Sequence, residues 1–277
     1  MIITKIVNNN IVTSTDDNNQ EIIVMGRGLG FGKKIGQTIA EDKIEKIFHL
    51  GTPIQNNKMI DIIEDIPMEH IVAADQVIIR AKEVLGDKLK DTIYLSLIDH
   101  ISCAIERHES GSLFQNPLLW ETKQYYPVEF QVATESLAIL KQAVGIEFPL
   151  DEAGFIALHF IMSEYDTKMS VTFDIPKLID KIIQLIEKKF ELLIDRTSIH
   201  FERFITHLKF FAARVLQSKQ IPDDGDFLFR AMIREQYKKS HECAEIIKKM
   251  MEDDYKIEIS EEEVMYLTVH IKRITMS

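Results

Sequence analysis

The chain has 277 residues with 33 basic and 44 acidic side chains, a formal charge of −11. At roughly 100–200 residues per domain, that length predicts two or three domains. Its two cysteines, Cys103 and Cys243, exclude a disulfide scaffold and a cysteine-based zinc module.

The N-terminus MIITKIVNNN lacks the basic start and apolar block of a signal peptide. No apolar run approaches the ~18–20 residues of a membrane helix. Together with the sparse cysteines, this predicts a cytoplasmic protein. The acidic balance argues against a nucleic-acid binder until it is resolved by region. A cut after Asn56, in the Gly-, Pro- and Asn-rich stretch GTPIQNN, divides it. Residues 1–56 hold Lys5, Arg27, Lys33, Lys34, Lys43 and Lys46 against Asp16, Asp17, Glu21, Glu41, Asp42 and Glu45. The head is therefore neutral, and the whole excess lies in an acidic body. Between Ile22 and Ala40 there is no acid, but there are Arg27, Lys33 and Lys34.

The head reads as β structure. Ile2 to Val7 is β-branched and ends at three asparagines; Ile11 to Thr13 is a second run. Asp16 to Asn19 signals a turn, Glu21 to Met25 a third strand, and Ile44 to Leu50 a fourth. A four-stranded antiparallel sheet follows. Fewer than ~60 residues give a marginal core, which a homodimer relieves.

Within the head, Gly26-Arg27-Gly28-Leu29-Gly30-Phe31-Gly32-Lys33-Lys34 alternates glycine with cationic and apolar residues. Neither the phosphate-loop nor the dinucleotide spacing is met, because Phe31 stands where each needs another residue. Glycines permit close backbone approach, Arg and Lys pair with phosphates, and an aromatic stacks on an unpaired base. A glycine-rich hairpin with Phe31 in the core fits the same pattern.

The acidic body repeats itself. Leu97 to Arg107 and Phe204 to Arg214 share a histidine and an arginine seven residues later, at an offset of 107 (207 − 100). Glu152-(x6)-His159 and Glu263-(x6)-His270 match at an offset of 111 (270 − 159). Leu118, Lys123, Tyr126 and Ala133 match Phe229, Arg234, Tyr237 and Ala244 at the same 111. One insertion of four residues, in a loop from Ser218 to Asp226, aligns the copies. Apolar stripes such as Ile93, Leu97, Ile101, Ala104 and Ile105 predict helical bundles, with a linker near Asp166 to Asp174.

Taken singly, His100, His159, His207 and His270 each fit a satisfied histidine at a bundle seam. Their recurrence in register suggests a repeated task, and histidine accepts phosphoryl groups as a nucleophile. Arg107 and Arg214 lie two helical turns after their histidines, on the same face. They fit a phosphate holder and a structural ion pair equally. His49, His70, His108, His200 and His241 have no matched partner and read as surface or packing residues.

The head, with Lys5, Asn10 and Val24 to Lys34, resembles the co-antiterminator RNA-binding domain of the BglG/SacY/LicT family of bacterial antiterminators. Gly32 departs from the longer polar residue expected after Phe31. The body resembles two PTS regulation domains through Asp99-His100, Leu118 to Lys123, Asp151 to His159, Phe204 to Phe211 and Tyr266 to His270. The resemblance implies domains at 1–56, 57–170 and 171–277: a small all-β dimeric domain followed by two all-α bundles. It implies RNA contact by Lys5, Asn8, Asn10, Gly26, Arg27, Gly28 and Phe31, with an antiterminator RNA hairpin bound by a homodimer. It also implies phosphorylation of His100 and His159 by a sugar-specific permease (enzyme II), inhibiting, and of His207 and His270 by the carrier HPr, activating. No cofactor, metal or membrane insertion is implied. An enzyme is disfavoured because H-E-x-x-H and G-x-S-x-G are both missing and the histidine pairs duplicate. A PTS-controlled DNA-binding activator is the remaining alternative, and the head lacks a helix-turn-helix pattern.

Overall fold

A computed structural model describes residues 1–16, 18–48, 59–112, 114–222 and 227–276. The chain forms two compact units, Met1–Pro117 with Pro127–Asp166, and Leu118–Tyr126 with Thr167–Ser277.

The first unit opens with four antiparallel strands in sequential order, β1 Lys5–Ile6, β2 Ile11–Thr15, β3 Glu21–Met25 and β4 Lys46–Phe48. β1 is shorter than its β-branched run, and Ile2 instead bridges Thr38. The tail of the fourth predicted strand, His49 and Leu50, and the GTPIQNN stretch lie outside the described residues. The register sets Val12 against Val24 and Ile23 against Phe48. Period-two alternation then gives one face to Ile3, Val12, Ile22, Val24, Leu29 and Ile39, which form a buried cluster. The other face is buried too, at Ile11, Thr13, Ile23, Met25 and Phe48. Part of its cover comes from the helical body: Phe48 meets Tyr94 edge-on at 5.3 Å. A single chain therefore already shields both faces of a sheet too small to make a large core alone.

Among the described residues this unit also contains the helices α1 Met68–Leu85, α2 Thr92–Glu109, α4 Pro127–Val144 and α5 Leu150–Glu164. α1 packs on α2 and α4, and α5 packs on α2 and α4. The short helix between them in sequence, α3 Leu119–Tyr125, belongs to the second unit, where Tyr125 donates to Asp180 at 2.6 Å.

The second unit contains α6 Met169–Phe190, α7 Ile199–Leu216, α8 Phe227–Gln236, α9 Lys238–Met250 and α10 Glu261–Ile274. A π-helical turn, Met251–Tyr255, follows α9. The predicted linker near Asp166 to Asp174 is mostly helix, because α6 begins at Met169. Thr172, polar by composition, is fully buried there and bonds Thr167 at 2.7 Å, so packing overrides the linker-like sequence.

The repeat recurs at the level of backbone. Adding 107 to the bounds of α2 gives those of α7, and adding 111 to the start of α5 gives that of α10. Even the helix exits agree. Gly111 and Ser218, 107 apart, both take left-handed conformations, at φ 72° and 56°. The next amide bonds back to Arg107 in one copy and Arg214 in the other. Of the predicted inserted loop, residues 223–226 lie outside the described residues.

Candidate functional site: a glycine loop and two histidine pairs

The glycine loop of the head is shaped by close contacts and one side chain. A Cβ on Gly26 would stand 1.8 Å from the Lys43 carbonyl, and one on Gly30 2.4 Å from that of Asn8. Gly28 and Gly32 have φ near +68° and +67°, which favour glycine. Asn10 accepts from the Gly28 amide through Oδ1 at 2.9 Å, and its own amide donates to Asn8 Oδ1 at 2.8 Å. The two asparagines thus fix the loop as well as flank it. Leu29 turns into the core, whereas Phe31 is 73% exposed. The reading of Phe31 as a core residue therefore does not hold. Lys5, Arg27 and Lys34 are exposed on the same small domain.

Two of the residues singled out in the head are already engaged by neighbours within the unit. The Arg27 guanidinium lies 3.7 Å from Glu69 of α1, and Glu45 accepts from the Arg27 amide. Asn8 donates from Nδ2 to the Glu64 carbonyl at 2.9 Å.

In the helical body, each repeat brings its two histidines together. His100 of α2 and His159 of α5 have ring centroids 4.4 Å apart. His207 of α7 and His270 of α10 stack at 3.8 Å. The crossing of each helix pair is what places residues from distant parts of the repeat in contact. Burial, reinforced by the neighbouring His100, holds His159 well below the usual imidazole range. Burial pushes His270 down to about 4, with His207 and Arg273 adding to the effect. His207 is lowered by the same burial and by Arg273. The three are therefore neutral at pH 7, the form with a nucleophilic lone pair.

Around these pairs the repeats diverge. In the second, Arg214 grips fully buried Glu263 by two hydrogen bonds, 2.9 Å from Nε and 2.8 Å from Nη2. Ser260 caps α10, but Glu263 does not reach back to it as in a capping box. Gln220 Oε1 takes the Ser260 amide instead, at 2.8 Å, and the Ile221 amide donates to Glu263 at 3.1 Å. The longer loop of this copy thus clamps Glu263 onto Arg214. In the first repeat Pro149 stands at the matching cap, Arg107 is 3.7 Å from Glu152, and Glu152 lies 2.6 Å from His100 Nε2. The arginines act as ion-pair partners, and the two buried glutamates carry a role that their spacing alone did not assign.

Tyr266, where the first repeat has Phe155, donates its hydroxyl to the His207 carbonyl and meets His207 Nδ1, both at 3.0 Å. Beside the pair is a cavity of about 340 Å³ lined in part by His200, Arg203, His207, His270 and Arg273. His200 is exposed, as a surface residue should be, and it also lines this cavity. His70 bonds Ser102, His108 meets Phe148 edge-on, and His241 is buried, all as packing residues; His49 lies outside the described residues. Arg203 and Arg273 carry no repeat signal in the sequence, because Ser96 and Met162 stand at the matching positions.

The CAT RNA binding domain family matches residues 1–57, and the PRD domain family matches residues 75–163 and 180–274. The chain belongs to the family of transcription antiterminators that join these domains. It is 39% identical to the transcription antiterminator LicT of Bacillus subtilis (strain 168), covering 99% of each chain. It is also 39% identical to the beta-glucoside operon antiterminator of Dickeya chrysanthemi, over 99% of this chain and 96% of that one. A crystal structure of GlcT CAT-PRDI superposes with a TM-score of 0.51 at 30% identity, covering 58% of this chain and 96% of that chain. Among the described residues, no helix of this antiterminator family member is long and apolar enough to cross a membrane.

Proposed function

We propose that the protein is a cytoplasmic, non-enzymatic switch that binds an antiterminator hairpin in the leader mRNA of a sugar-utilisation operon as a homodimer. The single observation that carries this reading is the recurrence of a close histidine pair at the same helix crossing in two repeats attached to an RNA-binding head. In this proposal the domains divide as 1–56, 57–170 and 171–277.

The head contacts RNA through Lys5, Asn8, Asn10, Gly26, Arg27, Gly28 and Phe31. Cationic side chains meet phosphates, and exposed Phe31 stacks on an unpaired base of an internal loop. Two heads in a dimer double those contacts. His100 and His159 receive phosphate from a sugar-specific enzyme II and switch the protein off. His207 and His270 receive it from HPr and switch it on.

Each phosphoryl group adds roughly −1.5 to −2 charge, taking phosphoserine as a guide. Placed at a helix crossing in an acidic body, that charge biases two arrangements of the dimer differently. A coupling of ~1–3 kcal/mol changes RNA affinity roughly 5–150-fold. The test is a competition shift assay with a leader hairpin, before and after phosphorylation by HPr. Preferential binding of the hairpin, strengthened by phosphate on the second repeat, is expected. Displacement of the hairpin by an equal concentration of duplex DNA would overturn the reading.

A further inference from the structure

The second repeat differs from the first at the positions that surround its histidines. Arg203 corresponds to Ser96 at the offset of 107, and Arg273 to Met162 at the offset of 111. Both arginines are exposed, line the same cavity as His207 and His270, and make no hydrogen bond or ion pair with the described residues. Unpaired guanidinium groups converging on a cavity are suited to a doubly charged tetrahedral anion. Glu263, the counterpart of Glu152 in this repeat, is consumed by Arg214 and the Ile221 amide. In the first repeat the corresponding carboxylate, Glu152, sits 2.6 Å from His100.

Tyr266 decides which ring nitrogen is available. Its single hydroxyl hydrogen goes to the His207 carbonyl, which only accepts. His207 Nδ1, 3.0 Å from the same oxygen, must then carry the hydrogen, leaving the lone pair on Nε2.

We propose that the second repeat contains a built phosphoryl site, in which His207 accepts at Nε2, Tyr266 is a positioning residue that sets the tautomer, and Arg203 and Arg273 hold the anion. This rests on the reading that the second repeat is phosphorylated. In the transfer, the nitrogen–phosphorus bond of a phosphohistidine donor breaks, and the donor nitrogen keeps its electron pair. The Nε2 lone pair of His207 forms the new bond, and the Nδ1 hydrogen stays against Tyr266. The first repeat, with Ser96, Met162 and Phe155 in these places, lacks the arrangement.

The experiment uses the full chain with 15N-labelled histidine. Before phosphorylation, 15N shifts are expected to show His207 as the Nδ1–H tautomer, and Tyr266→Phe is expected to mix the tautomers; this variant restores the residue type of the first repeat. After treatment with phosphorylated HPr, 31P–15N coupling is expected at Nε2 of His207. Arg203→Ser with Arg273→Met is expected to slow transfer roughly tenfold. Phosphate at Nδ1, an Nε2–H tautomer in the unmodified protein, or an unchanged rate in the double variant would overturn the site while leaving phosphorylation of the repeat intact. An absence of phosphate on the second repeat would overturn the functional reading itself.

Discussion

Arg214 meets Glu263 through two parallel hydrogen bonds of 2.9 and 2.8 Å, while the equivalent Arg107 and Glu152 stand 3.7 Å apart. Glu263 is fully buried and Arg214 is held above its usual range by that carboxylate. Removing the cation leaves a buried charge without its main partner, so Arg214→Met is expected to cost about 3–5 kcal/mol. Arg107→Met is expected to cost about 1 kcal/mol or less, since Glu152 keeps His100 as a neighbour. Calorimetry of the full chain checks this: the Arg214 variant lowers one melting transition strongly, and the Arg107 variant barely moves either. Equal losses would show that the closer pairing carries no extra stability.

The glycine loop separates folding from recognition. Gly26→Ala places a methyl group against the Lys43 carbonyl, and it is expected to destabilise the head by about 1–3 kcal/mol. Phe31 is solvent-facing, so Phe31→Ala is expected to leave melting unchanged. If it stacks on a base, its loss weakens RNA binding by about 1–3 kcal/mol. Paired melting curves and hairpin titrations distinguish the two variants. Unaltered RNA affinity for Phe31→Ala would remove that residue from the interface.

Stability is expected to fall on mild acidification. In the folded chain His270 titrates near about 4, below its ordinary 6.5, because burial disfavours the cation. Between those values the unfolded chain binds a proton that the folded chain refuses. The stabilising effect is therefore present above about 6.5 and is lost progressively as pH falls toward about 4. His159 and His207 are lowered too and act in the same direction. Melting temperature followed from pH 7 to pH 5 checks this, with His270→Gln expected to flatten the slope. A slope unchanged in that variant would place the acid sensitivity elsewhere.

The repeat was legible because helices and their paired histidines preserve spacing, and a single insertion aligns them. Glu21 to Met25 was legible as β3 because β-branched residues and flanking turns agree. The histidine pairing itself was not legible, since it depends on how α7 crosses α10 and α2 crosses α5. Thr172 misled in the opposite sense: its polarity suggested a linker, whereas burial and a hydroxyl bond place it in a helix. Likewise Asn10 reads as a flanking polar residue, yet its side chain braces the Gly28 amide, a contact across the strand β2–β3 hairpin that spacing does not reveal.

Lys46 of β4 and Asp75 of α1 lie 2.8 Å apart, with both side chains mostly shielded from water. They join the sheet to the first helical bundle, and Lys46 also lies 5.8 Å from the Tyr94 ring centre. Burial, with Asp75 and Asp91, pushes the Tyr94 phenol up to about 12, so that ring stays neutral under the ammonium group. A double-mutant cycle of Lys46→Ala and Asp75→Ala isolates the pair. The coupling is expected at about 1 kcal/mol or more, above that of an exposed surface pair. Both single variants are expected to speed proteolytic release of the head, because each loosens the same junction. Additive effects, with no coupling between the two positions, would mean that Phe48 and Tyr94 packing alone holds the junction.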